Sequence, residues 1–191
     1  MKIGIIIGSI REVRRGDRVA QWVAEAAAER TDAEFEVIDL RAFDVPLFTS
    51  PTNPAMAGRA YDSPGVMGWS AAVDACDGFV FVTPEYNHGV PGAFKNAVDS
   101  LGPEWTGKAV GFVSYGADSG LRSVEQWRQI VANFQMVDVR AQVPLSIFGE
   151  VPAEGPLTPT EHRPRDLSTL LDQLVAATAM TRAERERIAK G

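Results

Sequence analysis

Two short stretches of this 191-residue chain carry more polar chemistry than a fold requires. The first, GSIREVRRGDRVA over residues 8–20, puts Ser9, Arg11, Arg14 and Arg15 into one short loop, with Gly16 close to the start of a helical pattern. The start of a helix presents backbone N–H groups that have no intrahelical partner, and the helix dipole favours an anion there. A hydroxyl and several guanidinium groups beside such a start suit a phosphate monoester, each charge-assisted bond being worth roughly 1.5–3 kcal/mol. The second stretch, VTPEYNHGVPGAFKNAVDSL over residues 82–101, runs out of a buried-looking strand into Pro84, Glu85, Tyr86, Asn87 and His88, then Gly89 and Gly92. Polar edges with little bulk let main-chain groups approach a flat polar ring. A third turn, SYGADSG over residues 114–120, is stripped of bulk in the same way. Phosphate at the first loop and a ring between the other two describe a mononucleotide lying across the ends of strands.

Two common nucleotide signatures are absent: G-x-G-x-x-G for a dinucleotide pyrophosphate and G-x-x-x-x-G-K-[ST] for a nucleoside triphosphate. Each residue also has a plainer reading. The arginines form a solvated basic loop, Glu85 is a solvated carboxylate, and His88 is a loop or interface residue. Asn96 and Asp99 face solvent, Tyr115 is packing, and Cys76 is a small buried apolar group.

The elements that must position these loops alternate. Residues 2–8, 78–83 and 108–115 are continuous apolar runs, the mark of parallel strands covered on both faces. Residues 34–39 alternate apolar and polar like an edge strand, and 136–143 supply a fifth strand. Helical spacing falls over 17–30 (Val19, Trp22, Val23, Ala26, Ala27), 66–76 (Val66, Trp69, Val73, Cys76), 91–101, and 119–134 (Leu121, Val124, Ile130, Val131). A last helix carries Leu167, Leu170, Leu171, Leu174 and Val175 on one stripe. Pro84 stops its strand and Pro91 sits just inside its helix, where a missing N–H is harmless. The expectation is a single domain over residues 1–191: a three-layer, flavodoxin-like α/β fold with a five-stranded parallel sheet in the order 2-1-3-4-5. Two proline-rich segments, 41–65 and 151–165, lie outside this rhythm; the first is long enough to act as a lid or a subunit contact.

Composition narrows the partners. A net charge of −6 and a pI near 5.0 argue against nucleic acid and anionic membrane, so an anion site must be local. One cysteine forbids an intrachain disulfide, two histidines leave little for a metal cluster, and no apolar run reaches membrane-spanning length. The N-terminal apolar run reads as a strand rather than a leader, and the chain as a soluble cytoplasmic protein.

The stretches GSIREVRRG, TPEYNHGVPGAFKNAVD, SYGADSGLRSVEQWR and WSAAVDACDGFVFVTPEYN together resemble the NADPH-dependent FMN reductase family, which includes chromate, quinone and azo-dye reductases. The resemblance covers residues 2–145 and rests most on P-E-Y-N followed by K-N-A-x-D. It implies bound FMN, with Ser9, Arg11, Arg14 and Gly16 at the phosphate. It also implies that Pro84, Glu85, Tyr86 and Asn87 contact the isoalloxazine, and that Ser114, Tyr115 and Gly116 line its other side. Many relatives place Ser and Asn where this chain has Arg14 and Gly16. The implied activity passes electrons from NADPH or NADH through FMN to a flavin, a quinone or a similar small acceptor. Such a ping-pong cycle needs no protein nucleophile and no metal. The resemblance further implies a homodimer or homotetramer. A flavodoxin-type electron carrier and a non-enzymatic interaction domain on the same scaffold remain as rival readings.

Overall fold

The computed structural model describes residues 1–191. Its centre is a five-stranded sheet of β1 (Lys2–Ile7), β2 (Glu34–Asp39), β3 (Gly78–Pro84), β4 (Ala109–Gly116) and β5 (Val137–Ser146). All pairings are parallel and the order is β2-β1-β3-β4-β5, as the alternation predicts. β3 and β4 are buried along their whole length, which explains why neither alternates: helices cover both of their faces. The helices are α1 (Gly16–Ala27), α2 (Pro64–Asp74), α3 (Gly92–Asp99), α4 (Leu121–Asn133) and α5 (Arg163–Lys190).

The two faces differ in chemistry. Under α2, α3 and α4 the core is aromatic: Trp69, Trp105, Trp127, Phe79, Phe81, Phe94 and Phe112 are all fully buried. Phe81 has Trp127 at 5.4 Å and Phe94 at 4.8 Å between ring centroids, the separation at which tilted and edge-on rings attract. Under α1 and α5 the core is aliphatic, built from Ile3, Ile5, Ile7, Val19, Val23 and the leucine stripe Leu167, Leu170, Leu171 and Leu174.

Several sequence expectations shift. Pro84 is the last residue of its strand, as expected, but it still pairs with Tyr115, and the next residue donates, Glu85 N–H to Tyr115 O at 2.9 Å. Pro91 caps α3 from outside with extended backbone (ψ 127°), so the helix starts at Gly92. On α4 the inward residues are Ser123, Val124, Trp127 and Val131, whereas Leu121 is 42% exposed. Trp127 has to be inside because its Nε1–H donates to buried Thr83 Oγ1 at 3.0 Å. On α1, Ala26 is exposed and Trp22 only half-buried, and Ala20 takes an inward place. On β2, Ile38 is buried while Val37 is 41% exposed, so the edge strand presents an apolar residue to solvent. The last helix starts inside the expected proline-rich segment and runs for 28 residues.

The 41–65 segment opens on a short 3-10 turn that begins one residue earlier, Leu40–Phe43, and contains a second, Pro54–Met56. It packs beside α3, where Asn96 accepts from Phe48 N and donates to Pro46 O, both at 2.8 Å, so Asn96 is not merely solvent-facing. Tyr61, within this segment, donates to the buried Glu104 carboxylate at 2.7 Å, joined by Ser70 Oγ at 2.6 Å. In the same connection before β4, Lys108 is buried and donates to Val73 O at 2.9 Å, at the carboxyl end of α2. Burial disfavours its charge and lowers its pKa to about 8.

Candidate functional site

The carboxyl ends of β1, β3 and β4 open into one cleft of about 400 Å³. Its walls come from the loop after β1 (Ser9, Arg11, Val13, Arg14, Arg15), the end of β3 (Pro84, Glu85, Tyr86) and the end of β4 (Tyr115, Gly116, Ala117). Ile147 and Ala153, from the β5–α5 connection, complete it. Eight of the eleven residues expected from sequence therefore share a single cavity. The exceptions are Gly16, Asn87 and Ser114.

The loop after β1 owes its shape to close approaches. A Cβ at Gly8 would stand 2.1 Å from the Phe94 ring, so glycine is required there by packing against α3 rather than by a sharp turn. A Cβ at Gly16 would stand 2.8 Å from Tyr115 Oη. Gly16 thus lets the first turn of α1 sit directly beside the end of β4. That turn has no side-chain cap; the first intrahelical bond runs from Val19 N–H to Arg15 O at 3.2 Å. Its leading N–H groups are the donors an anion would meet.

The arginines divide into different roles. Arg14 forms a two-pronged pair with Asp39 at the end of β2, Nη1 to Oδ1 at 2.7 Å and Nη2 to Oδ2 at 2.5 Å, and also donates to Ser9 O at 2.9 Å. Each partner holds the other ionised: the Asp39 carboxyl is lowered by its bonds to Arg14, and the Arg14 guanidinium is raised by the same bonds. Arg14 therefore braces the loop, and its charge is matched by Asp39. Arg15 gives one bond, Nη1 to Val151 O at 2.9 Å. Arg11 is exposed on the cleft wall.

On the ring side, Tyr86 and Gly89 exchange two backbone bonds of 3.1 Å. Asn87 and His88 form the turn between them with φ of 49° and 72°. Both central residues are left-handed, the geometry of a tight primed hairpin, and Asn tolerates it better than most. This hairpin carries Asn87 to the exposed tip, away from the cleft wall. Glu85 is not a solvated carboxylate: its side chain is only 7% exposed and binds Arg122, accepting from Nε at 2.7 Å and from the backbone N–H at 3.2 Å. It thereby satisfies the first turn of α4. Arg122 also meets His88 Nδ1 at 3.0 Å and pairs with Asp118, tying the loop after β3 and the turn after β4 to the start of α4. Ser114 is fully buried and donates to Ser119 O at 2.8 Å, so its hydroxyl shapes the turn after β4 instead of lining the cleft. Tyr115 is buried as well as cleft-lining, and burial raises its phenol far above the ordinary range.

Val13, Arg15, Ala117, Ile147 and Ala153 line the cleft without having been assigned to it from sequence. The first three lie inside the stretches that stood out. Ile147 and Ala153 lie in a segment whose only sequence signal is its proline content. The 41–65 segment contributes nothing to the cleft wall.

A cationic loop beside an uncapped helix start, facing the ends of two neighbouring strands, is the arrangement in which flavodoxin-like folds offer room for a ligand. The donor set fits FMN: hydroxyl, guanidinium and backbone N–H at one end, and Pro84, Tyr86 and Gly116 around space for a ring at the other. The family model described as NADPH-dependent FMN reductase matches residues 1–150, and the chain belongs to that family of oxidoreductases. An NAD(P)H-dependent FMN reductase of Nectria sp. is 40% identical over 129 residues, covering 65% of this chain and 64% of that protein. The chain thus spans somewhat less than two thirds of that relative. An NAD(P)H-dependent FMN reductase of Saccharomyces cerevisiae is 37% identical over 145 residues, 71% of this chain and 76% of that protein. Among solved structures, the flavoenzyme NAD(P)H:(acceptor) oxidoreductase of Paracoccus denitrificans superposes with a TM-score of 0.71 at 17% identity, covering 94% of this chain and 98% of that one, a likeness of fold. No helix is long and apolar enough to cross a membrane.

Proposed function

We propose that this protein is an NAD(P)H-dependent oxidoreductase that holds FMN in the cleft and passes electrons from NADPH or NADH to a flavin, a quinone or a similar small acceptor. The observation that carries the proposal is one cavity that joins Arg11 and Arg15, the residue that precedes α1, to Pro84, Tyr86, Tyr115 and Gly116 at the ends of β3 and β4. FMN, when bound, supplies the chemistry by accepting a hydride and releasing electrons to a second molecule. The chain's own residues bind and orient. Ser9, Arg11 and the first N–H groups of α1 hold the phosphate, with Arg14 bracing the loop through Asp39. Pro84, Glu85 and Tyr86 present backbone and one aromatic edge to the ring, and Tyr115 and Gly116 close its other side. Asn87, Ser114 and Gly16 act through the turn, the strand end and the helix approach that they make possible. Donor and acceptor occupy the same open side in turn, which is a ping-pong cycle. The relatives named as FMN reductases and a quinone reductase of Pseudomonas putida support this range of acceptors.

The proposal includes a homodimer or homotetramer in the cytoplasm. Leu47 and Phe48, 78% and 43% exposed on the segment held by Asn96, are apolar surface of the kind a second copy covers.

The test is an anaerobic absorbance titration of the FMN-loaded protein with NADPH and with NADH, followed by a panel of acceptors. Bleaching by a pyridine nucleotide alone, and recovery on adding quinone or free flavin, is expected. A yellow protein that neither nucleotide bleaches is a carrier, and a protein that binds no flavin has another function.

A further inference from the structure

The β5–α5 connection contributes Ile147 and Ala153 to the cleft wall, and from Val151 onward it lies beyond the residues 1–150 that the family model matches. Its two ends are fastened to the fold. Glu150 is buried and accepts from Ser146 N, Thr160 N and Arg163, and Thr158 N–H donates to Glu150 O at 3.0 Å. Between these anchors, Ala153, Glu154, Gly155 and Pro156 are exposed and put no side chain into the core. What holds this strap down is the first turn of α1. Arg18 donates to Pro152 O at 2.7 Å, to Ala153 O at 3.2 Å and to Gly155 O, while Arg15 donates to Val151 O at 2.9 Å. Ala153 consequently stands in the cleft wall beside Arg11, Arg14 and Arg15.

We propose that this strap makes the cleft selective for a flavin that ends in a phosphate monoester over one that continues through a pyrophosphate, and that Arg18 sets the selectivity. The inference rests on the FMN reading of the cleft. A ligand whose phosphate sits at the start of α1 leaves that phosphate toward the strap. FMN ends there. FAD has to pass its second phosphate and adenosine through the place where the two guanidinium groups grip the strap carbonyls. Arg18 lies outside the cleft wall, so its removal frees the strap while leaving the phosphate donors in place.

The experiment titrates the wild type and Arg18→Ala with FMN and FAD by flavin fluorescence, and follows amide hydrogen exchange across residues 151–157. Arg18→Ala is expected to bind FAD about tenfold more tightly and FMN within about twofold of wild type, a shift of ~1.4 kcal/mol in the difference. Exchange in the strap rises in the same variant. An unchanged FMN-to-FAD ratio alongside faster strap exchange overturns the selectivity. Unchanged exchange in both Arg18→Ala and Arg18→Glu overturns the tether, and the inference with it. A wild type that binds no FMN overturns the reading of the cleft itself, a failure seen before any variant is made.

Discussion

The hydroxyls of Ser9 and Tyr86 meet at 2.8 Å and join the loop after β1 to the loop after β3 across the mouth of the cleft. The two residues are 77 apart in sequence, and the proposed roles differ: Ser9 at the phosphate, Tyr86 at the ring. A neutral hydroxyl pair of this kind contributes about 1 kcal/mol, small enough for a bound phosphate to draw Ser9 away from it.

That pair separates the two ends of the site experimentally. Ser9→Ala is expected to weaken FMN binding about five- to tenfold and to leave riboflavin, which lacks the phosphate, unchanged, as the loss of one bond of ~1 kcal/mol implies. Tyr86→Phe is expected to shift both flavins alike. Fluorescence titration with the two ligands decides it; equal losses for Ser9→Ala would move Ser9 off the phosphate end.

Arg11 and Arg14 sit three residues apart but are expected to fail differently. Arg11→Ala removes a solvent-facing donor and should cost roughly 1.5–3 kcal/mol of FMN affinity with no change in Tm. Arg14→Ala strips Asp39 of its two-pronged partner and unbraces the loop, so it should lower stability by about 1–2 kcal/mol as well as weaken FMN. Urea unfolding of the ligand-free proteins, run beside the titrations, tests this; equal stability for the two variants rules out a bracing role for Arg14.

Glu150 gives the fold an acid limit. Burial alone would raise its carboxyl, but Arg163 and the N–H groups of Ser146 and Thr160 outweigh that and bring it down to about 2, against an ordinary value of 4.5. A folded-state value below the unfolded one stabilises above the unfolded value and is lost as pH falls through the folded value. Stability is therefore expected to drop between about pH 4.5 and pH 2. Glu150→Gln should flatten the stability curve in that window, measured by denaturant midpoints at each pH. A wild-type slope retained in Glu150→Gln would assign the acid sensitivity elsewhere.

Lys108 acts in the opposite range. Its pKa, lowered by burial to about 8 from 10.5, means that the unfolded chain binds more protons between those values, so the contribution of this group to stability rises with pH there. Lys108→Met should remove that rise, and because the charged amine is costly to bury, it should change stability at pH 7 by less than about 1.5 kcal/mol despite losing the bonds to α2. Thermal denaturation at pH 7 and pH 10 checks both statements; a rise with pH identical to wild type would contradict the burial argument.

The strand order and the leucine stripe of the last helix were legible because buried parallel strands and helical stripes leave periodic marks. The cleft was legible in outline because polar residues at strand ends have little structural reason to be there. What sequence could not show was pairing between distant positions. Nothing in the loop after β1 says that Arg14 belongs to Asp39 and Arg11 to solvent, since both are arginines in one turn. Nothing near Glu85 says that a residue 37 positions later neutralises it. Trp127 was missed as an inward residue because its place is fixed by a hydroxyl on another strand as well as by the stripe on its own helix. Ile147 and Ala153 reach the cleft through a chain path that no local pattern encodes.

Of the four tryptophans, Trp69, Trp105 and Trp127 share one side of the sheet and only Trp22 lies on the other. Intrinsic emission from this protein is therefore a lopsided signal. It reports mostly on the α2–α3–α4 layer, with Trp22 on α1 the single reporter of the layer made by α1 and α5. A denaturation curve followed by fluorescence should be compared with one followed by far-ultraviolet circular dichroism, which weights the 28-residue terminal helix most heavily. Coincident curves show that both layers come apart together; separated curves reveal which layer yields first.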